Sequence, residues 1–265
     1  MKILITGGLS GIGFDTALTL AKKGHYIYLT VHKTEQIKTA KEKIKMYNLN
    51  NIEVLDLDIS SKLDRNKVRN LDIDCLFNNA AIGVGGSLIC LDVDKIRENF
   101  EVNFFSTLDL TKQVILTWIE NQKRGTIVTM SSLAGLLPIP FLGSYSASKA
   151  ALLTFFTSLR RELVLLKVPI RIKLIEPGLY KTGFNDFLID SGKDLCNQEL
   201  LLRFENRYNS VIELEHAIIN LLECTYTDSI VKKIVKAIES KNNRFIYRSP
   251  FLQVIATKFY MFLFK

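Results

Sequence analysis

Residues 2–13, KILITGGLSGIG, decide the fold of this 265-residue chain. A short apolar run at 2–6 leads into a glycine-rich turn, and a segment with helical periodicity follows at 11–23. A strand, a turn and a helix in this order are the first half of a βαβ unit, in which the helix returns the chain for a parallel strand. The stretch therefore predicts a parallel sheet that begins at the N-terminus.

The glycines of this turn also suggest a ligand. Gly7, Gly11 and Gly13 allow a sharp backbone turn and a close approach to a bound phosphate. The helix behind them offers free N–H groups and the positive end of its dipole. A glycine-rich turn can also be no more than a tight turn, but its position between a strand and a helix favours a pyrophosphate-binding loop.

The same alternation continues along the chain. Right-handed crossovers between parallel strands place helices on both faces of the sheet. We therefore predict an α/β fold, a doubly wound parallel sheet of the Rossmann type. Strands are expected at 2–6, 25–30, 52–56, 74–77, 125–130, 169–175 and 243–247. Helices are expected at 11–23, 34–47, 99–120, 146–167 and 228–240.

Two segments interrupt the alternation. A long insertion lies at 178–227, and a tail at 250–265 follows the last strand. With no proline-rich or serine-rich linker, the chain is expected to form one domain at 1–249, which includes the insertion, and a separate amphipathic tail at 250–265.

Composition excludes several classes of protein. With 48% apolar and 23% charged residues, the chain can bury a sizeable core and is neither disordered nor a disulfide-stapled miniprotein. Its four cysteines contain no C-x-x-C pair, which argues against a zinc site or any other metal centre. The N-terminus lacks the pattern of a signal peptide, and no apolar run is long enough to span a membrane. The expected location is cytoplasmic.

The net charge of +8 is unevenly distributed. Residues 230–265 carry eight basic residues and one acidic residue, and residues 1–50 carry eight and three. The middle, 51–229, holds 19 basic and 23 acidic residues. A nucleic-acid partner is not expected, because the C-terminal aromatic residues are grouped apolarly rather than interleaved with the cations as stacking platforms.

A second chemical constellation follows the fifth expected strand, 125–130. Ser131 and Ser132 end it, and Tyr145 and Lys149 share a helix face at i and i+4. A free tyrosine has a pKa of about 10, and a neighbouring ammonium group lowers that pKa. The hydroxyl of Ser132 could orient a carbonyl beside the phenol. Taken alone, the Tyr-x-x-x-Lys spacing is also typical of an ordinary helix start.

Together these segments resemble the short-chain dehydrogenase/reductase family over nearly the whole chain. The carrying motifs are T-G-x-x-x-G-I-G at 6–13, N-N-A-A at 78–81 after Asp74, Asn103, Ser132 thirteen residues before Tyr145, Y-x-x-x-K ending at Lys149, and Pro177-Gly178 followed by Thr182. Two departures are minor: Ala81 replaces a glycine of N-N-A-G, and Ser106 stands where many members have glycine.

The resemblance implies hydride transfer between a nicotinamide and a secondary alcohol or ketone. Tyr145 would exchange a proton with the reacting oxygen, Ser132 would hydrogen-bond that oxygen, and Asn103 would hold a water in the proton relay. Lys149 would lower the pKa of Tyr145 and bind ribose hydroxyls. The implied cofactor contacts are Thr6, Gly7, Ser10, Gly11, Ile12, Gly13, His32, Lys33, Asp58, Ile59, Asn79, Ala80, Tyr145, Lys149, Pro177, Gly178 and Thr182.

The second expected strand bears on the choice of nicotinamide. NAD-dependent relatives usually place an acid just after it, but Val31 stands there, followed by His32 and Lys33. A 2′-phosphate would favour these two groups. NADP(H) is therefore the favoured cofactor, with NAD(H) as the alternative.

The end of the chain bears on the substrate. The last strand, the segment Ile175-Glu176-Pro177-Gly178 and the absence of a terminal Gly-Gly look like the 17β-hydroxysteroid and retinol dehydrogenase branch. By resemblance, the insertion 178–227 covers the substrate. Its apolar residues would suit a lipophilic substrate or pack helices onto the core: Phe184, Phe187, Leu188, Ile189, Leu195, Leu200, Leu201, Leu202, Phe204 and Tyr208.

The tail leaves two roles open. On a helical wheel its polar residues, Gln253, Thr257, Lys258 and Lys265, gather on one side and leave a broad apolar face. With the basic residues of 232–248, this pattern suggests an interfacial helix on a membrane. The alternative is a helix that closes the pocket or packs against a second subunit.

Competing functions also remain. The resemblance implies a homodimer or homotetramer formed through helices 99–120 and 146–167, and a small-molecule substrate. The alternatives to a lipophilic ketone or alcohol are acyl thioesters, nucleotide sugars or small polyols. A protein that binds nicotinamide without catalysis is disfavoured because Asn103, Ser132, Tyr145 and Lys149 are all retained.

Overall fold

The computed structural model describes residues 1–263. Seven parallel strands form one sheet in the order β3-β2-β1-β4-β5-β6-β7. The strands are β1 (Lys2–Ile5), β2 (Tyr26–Val31), β3 (Ile52–Asp56), β4 (Cys75–Asn78), β5 (Gly125–Met130), β6 (Ile170–Pro177) and β7 (Ile246–Ser249). The doubly wound α/β prediction is confirmed.

Eleven α-helices accompany the sheet in the described residues. They are α1 (Gly11–Lys22), α2 (Gln36–Lys45), α3 (Lys62–Lys67), α4 (Val93–Phe100), α5 (Thr107–Glu120), α6 (Gly143–Leu165), α7 (Phe184–Leu195), α8 (Gln198–Leu202), α9 (Glu205–Leu222), α10 (Asp228–Glu239) and α11 (Phe251–Leu263). Short 3₁₀ turns occur at Val68–Asn70 and Leu133–Gly135.

Both faces of the sheet are buried, and successive residues of β1 show why. Ile3 and Ile5 point into the apolar cluster formed with α1 and α10, whereas Leu4 points into the cluster formed with α5 and α6. Burying an aliphatic side chain of this size contributes about 1.5–3 kcal/mol. The continuous apolar run of the first strand is thus the signature of a strand covered by helices on both sides.

Several predicted boundaries shift by one to three residues, and two differences bear on the fold and the site. The helix expected at 99–120 begins earlier, at α4, and a six-residue π-helical turn, Glu101–Ser106, separates α4 from α5. The last strand was expected at 243–247 but β7 lies later, because its register is set by pairing of Ile246 with Leu174 on β6.

The remaining predictions of local structure also have clear outcomes. The insertion 178–227 folds into three helices, α7, α8 and α9, and the tail forms α11. All four cysteines are free thiols.

Because the sheet order reverses between β1 and β4, a crevice opens at the carboxyl ends of these strands, where doubly wound proteins bind ligands.

Candidate active site

A cavity of about 1080 Å³ lies at the carboxyl end of the sheet. One end is lined by the glycine turn before α1, and the middle by the ends of β4, β5 and β6. The other end is walled by side chains from α7, α9 and α11. The cavity extends from the glycine turn to α6, so residues of both elements line the same cavity.

The glycine turn is tied to the end of β4 and leaves room for a ligand. Thr6 Oγ1 accepts hydrogen bonds of 3.0 Å from the amides of Asn79 and Ala80, and Asn79 Nδ2 donates to the carbonyls of Thr6 and Gly7. A Cβ at Gly13 would lie 2.4 Å from Asn79 Nδ2. Gly7, with φ +66°, adopts the left-handed conformation that favours glycine.

This cradle fits the pyrophosphate of a dinucleotide. Ser10, Gly11, Ile12 and Gly13 line the cavity at the start of α1, where the side chain of Ser10 makes no capping hydrogen bond. The first amides of α1 can therefore serve a bound anion. Thr6 is buried behind the turn and does not line the cavity, so its contribution is to hold the turn in place.

The predicted cofactor residues near β2 and β3 are only partly brought together. His32, Asp58 and Ile59 line the cavity, whereas Lys33 is exposed and is not part of the lining. Asp58 Oδ1 accepts hydrogen bonds from the amide and the hydroxyl of Ser60, both at 2.8 Å. The carboxylate of Asp58 is thus engaged in a local turn.

The predicted catalytic side chains Ser132, Tyr145 and Lys149 meet in the middle of the cavity. Ser132 Oγ accepts a 3.1 Å hydrogen bond from the Ala134 amide, and its hydroxyl acts on the phenol of Tyr145 to lower that group's pKa. Lys149 Nζ donates to the carbonyl of Met130 at 3.1 Å and lies 5.5 Å from the centroid of the Tyr145 ring. The end of β5 and one turn of α6 therefore bring the Ser132 hydroxyl, the Tyr145 phenol and the Lys149 amine to the same part of the cavity.

Asn103 lies behind this group and does not line the cavity. It sits in the π-helical turn, where its Nδ2 donates to the carbonyl of Ile82 and its Oδ1 accepts from the Ile82 amide. Asn103 Nδ2 also donates to Asn99 Oδ1 at 2.8 Å, and Asn99 Nδ2 donates to the backbone and hydroxyl of Ser144. The sequence reasoning missed Asn99, although its i, i+4 spacing to Asn103 is a usable signal.

The end of the cavity beyond Tyr145 is mostly apolar, with Asn185, Gln253 and Thr257 as polar members of its lining. Part of the predicted lid contributes to it: Phe184 and Leu188 line the cavity, whereas Phe187, Leu202 and Phe204 are exposed. The sequence reasoning did not single out the other wall residues: Ile139, Leu142, Leu179, Ile218, Leu222, Leu252, Ala256 and Tyr260. Among the described residues, no group of three or more His, Cys, Asp or Glu side chains could hold a metal ion.

Comparison with known proteins agrees with this geometry. Residues 1–191 match the family model described as short chain dehydrogenase. Over 190 residues the chain is 32% identical to a 3-ketodihydrosphingosine reductase of Bacteroides thetaiotaomicron, an alignment that covers 69% of this chain and 65% of that one. It is also 32% identical over 190 residues to an NADPH-dependent 3-dehydrocapnine reductase of Ornithobacterium rhinotracheale, covering 68% of this chain and 65% of that one.

The chain belongs to the short-chain dehydrogenase/reductase family. It is accordingly an oxidoreductase that acts on CH–OH groups. A crystal structure of a member from Burkholderia phymatum in complex with NAD has the same fold, with a TM-score of 0.78 and 19% identity, over 97% of this chain and 91% of that one. The alignments with the two reductases span just under two thirds of the length of either protein.

In this short-chain dehydrogenase, burial dominates the ionisation of the central pair. Burial raises the pKa of the Tyr145 phenol above its ordinary value, and the hydrogen bond with Ser132 lowers it only in part. Burial lowers the pKa of Lys149 to about 8. Lys149 Nζ lies over the Tyr145 ring and is itself desolvated, and its effect on the pKa of Tyr145 stays a prediction.

The position of α11 bears on the two roles predicted for the tail. The polar side of α11 faces the protein: Thr257 is buried, and Gln253 Oε1 accepts a 2.7 Å hydrogen bond from the amide of Leu179. Lys258 is exposed, and Lys265 lies outside the described residues. The helix thus forms a wall of the cavity, as one of the two predicted roles required.

Several of the basic residues of 232–248 make contacts elsewhere in the protein. Arg248 pairs with the buried Glu176 on the neighbouring strand. Arg244 packs over the ring of Tyr247, and Lys236 borders a separate shallow surface with Lys23.

Proposed function

We propose that this short-chain dehydrogenase is an NADP(H)-dependent oxidoreductase that interconverts a ketone and a secondary alcohol on a lipophilic substrate. The observation that carries the proposal is the apolar wall around the reacting end of the cavity, beyond Tyr145. A wall of this kind favours apolar ligands and keeps water from the hydride step.

The nicotinamide would supply the hydride, and this chain would supply placement and proton transfer. In reduction, the Tyr145 phenol would donate its proton to the carbonyl oxygen as the hydride reaches the carbonyl carbon. In oxidation the same oxygen would accept the proton of the alcohol. Ser132, which lines the cavity together with Tyr145, would hold the reacting oxygen beside the phenol.

Lys149 and Asn103 would act around this step. Lys149 lies in the cavity one helical turn from Tyr145 and would bind ribose hydroxyls of the dinucleotide. Asn103 would support the proton relay from behind, since its amide is fixed by both backbone groups of Ile82. The glycine turn and the residues Ile12, Asn79, Ala80, Pro177, Gly178 and Thr182 would bind the dinucleotide.

The names of two relatives support reduction as a direction. One is a reductase of 3-ketodihydrosphingosine, and the other is an NADPH-dependent reductase of 3-dehydrocapnine. Both share about a third of their aligned residues with this chain.

A panel of ketones and alcohols of graded chain length tests the proposed substrate class. We expect kcat/KM to rise with apolar length, by up to about fourfold for each added methylene group that reaches the wall. Oxidation of NADPH, followed by absorbance, measures it. A preference for acyl thioesters, nucleotide sugars or small polyols would contradict the proposal.

A second prediction concerns the cofactor. We expect NADPH to bind about tenfold or more tightly than NADH, because His32 lines the cavity and no acid follows β2. His32→Gln should remove most of this preference by weakening NADPH alone. Lys33→Gln is the matched control and should have a smaller effect, because Lys33 lies outside the lining. Fluorescence titration measures both; tighter binding of NADH by the unaltered protein would refute the choice of NADP(H).

A further inference from the structure

The outer surface of α11 is apolar although the helix lies at the protein surface. Six large side chains are exposed there: Phe251, Leu252, Ile255, Phe259, Phe262 and Leu263. At about 100° per residue they occupy an arc of about 120°. We call this arc the tail face. It is the reverse of an ordinary surface helix, in which the apolar arc faces the core.

A second exposed apolar stripe lies on the neighbouring helix α9. Gln253 Nε2 donates to the carbonyl of Leu222 at 2.8 Å, which joins α11 to the end of α9. On α9, a stripe of exposed apolar residues at i, i+4, i+7 and i+8 consists of Leu214, Ile218, Leu221 and Leu222. Two helices joined by this hydrogen bond thus present apolar side chains to the outside, and exposed apolar surface of this extent marks an interaction site.

The apolar surface is continuous with the cavity. Leu252 is 78% exposed and also lines the cavity. Ile218 and Leu222 likewise line the cavity and are exposed in part. A lipophilic molecule at the tail face would therefore meet apolar side chains without a break as it enters towards Tyr145.

We propose that the tail face docks on a phospholipid bilayer and that the lipophilic substrate enters the cavity directly from it. The inference rests on the proposed substrate class. A protein or a second copy seated here would cover the cavity entrance, whereas a fluid bilayer covers the apolar side chains and also supplies the substrate. The same inference explains why a helix with polar residues on one side turns that side inward.

Charge at the helix agrees with a bilayer. Lys258 is the one charged residue between Phe251 and Leu263, it is exposed, and it lies about 20° beyond the edge of the tail face. An ammonium group at this edge can reach the phosphate layer while its neighbours enter the acyl boundary. No helix of residues 1–263 is both long and apolar enough to cross a bilayer, so α11 would lie in the interface.

Vesicle binding by the full chain tests the proposal. We expect the unaltered protein to cosediment with phosphatidylcholine vesicles and more strongly when phosphatidylglycerol is added. Phe259→Gln with Phe262→Gln should lower the partition coefficient at least about tenfold, since both rings would leave the acyl boundary. The matched control replaces two equally exposed apolar residues elsewhere, Met46→Gln with Leu63→Gln, and should bind as before.

The outcomes separate this inference from the proposed function. Absence of vesicle binding by the unaltered protein, or equal binding by the tail variant, would overturn the inference. So would a dimer in sedimentation experiments that only the tail variant dissociates, because a second copy would then cover the face. Turnover of a short, water-soluble ketone without vesicles reports the proposed function alone, and should be the same in all three proteins because Phe259 and Phe262 lie outside the lining.

Discussion

Replacing Tyr145 with Phe is expected to lower kcat by about 10²–10⁴-fold and to leave NADPH binding unchanged. The substitution keeps the buried ring, whose centroid lies 5.5 Å from the centroid of the Phe184 ring. It removes only the oxygen that carries the proton. The hydride would then reach a carbonyl whose oxygen has no acid beside it. NADPH oxidation measures kcat, and fluorescence titration measures cofactor affinity.

Tyr208 supplies the matched control for this experiment. Its phenol is also buried, and its hydroxyl has no hydrogen-bond partner among the described residues. Tyr208 packs on Phe141 away from the cavity lining, so Tyr208→Phe should leave kcat unchanged. Equal turnover of Tyr145→Phe and the unaltered protein would remove Tyr145 from the proton step. A parallel loss in both variants would instead indicate a general effect on folding.

The positions of the seven strands were predictable because each is a short apolar run between turn signals. The shift of β7 was not, since its start depends on pairing with β6, which is 69 or more residues away in sequence. The π-helical turn that carries Asn103 could not be predicted from the sequence either. One extra residue in a turn of helix leaves no periodic trace in a segment this short.

The tail shows what a helical wheel leaves open. The wheel separates a polar side from an apolar side, but it does not say which side meets the protein. Here the amide of Leu179 and the carbonyl of Leu222 both find their partners in one side chain, Gln253. Those two backbone groups are distant in sequence from the tail, so only the folded structure reveals that the polar side turns inward.

The cofactor end shows the same limit on a smaller scale. His32 and Lys33 are neighbours in sequence and carry similar chemistry, yet only His32 reaches the cavity. Successive side chains at the end of a strand point in different directions. Motifs with fixed spacing, such as Tyr145 and Lys149 on α6, transfer well from sequence to structure because a helix holds both on one face.

Lys149→Met should lower kcat by about 10²–10⁴-fold and, unlike Tyr145→Phe, should also weaken NADPH binding. Lys149 lines the cavity and donates to the carbonyl of Met130, so the variant removes both a charge and the group proposed to bind the ribose hydroxyls. Affinity for NADPH, rather than kcat, therefore distinguishes Lys149→Met from Tyr145→Phe. Lys41→Met, on the exposed surface of α2, is the control and should change neither quantity.

The same variant should change the pH dependence of stability. The pKa of Lys149 is lowered by burial from 10.5 to about 8, so between these values the unfolded chain binds more protons at this site than the folded protein does. The free energy of unfolding contributed by Lys149 therefore rises with pH across this window, by about 3 kcal/mol in all. Below about pH 8 both states carry the proton, and the full cost of burying the ammonium group remains.

Lys149→Met cannot show this rise, because methionine does not titrate. The difference in unfolding free energy between the variant and the unaltered protein should therefore favour the variant most at neutral pH and shrink by about 3 kcal/mol by pH 10.5. Lys173, whose pKa burial also lowers to about 8, is present in both proteins and cancels from the difference. Urea unfolding of both proteins at a series of pH values measures this difference in unfolding free energy. Parallel stability curves would mean that Lys149 is not held in a desolvated site.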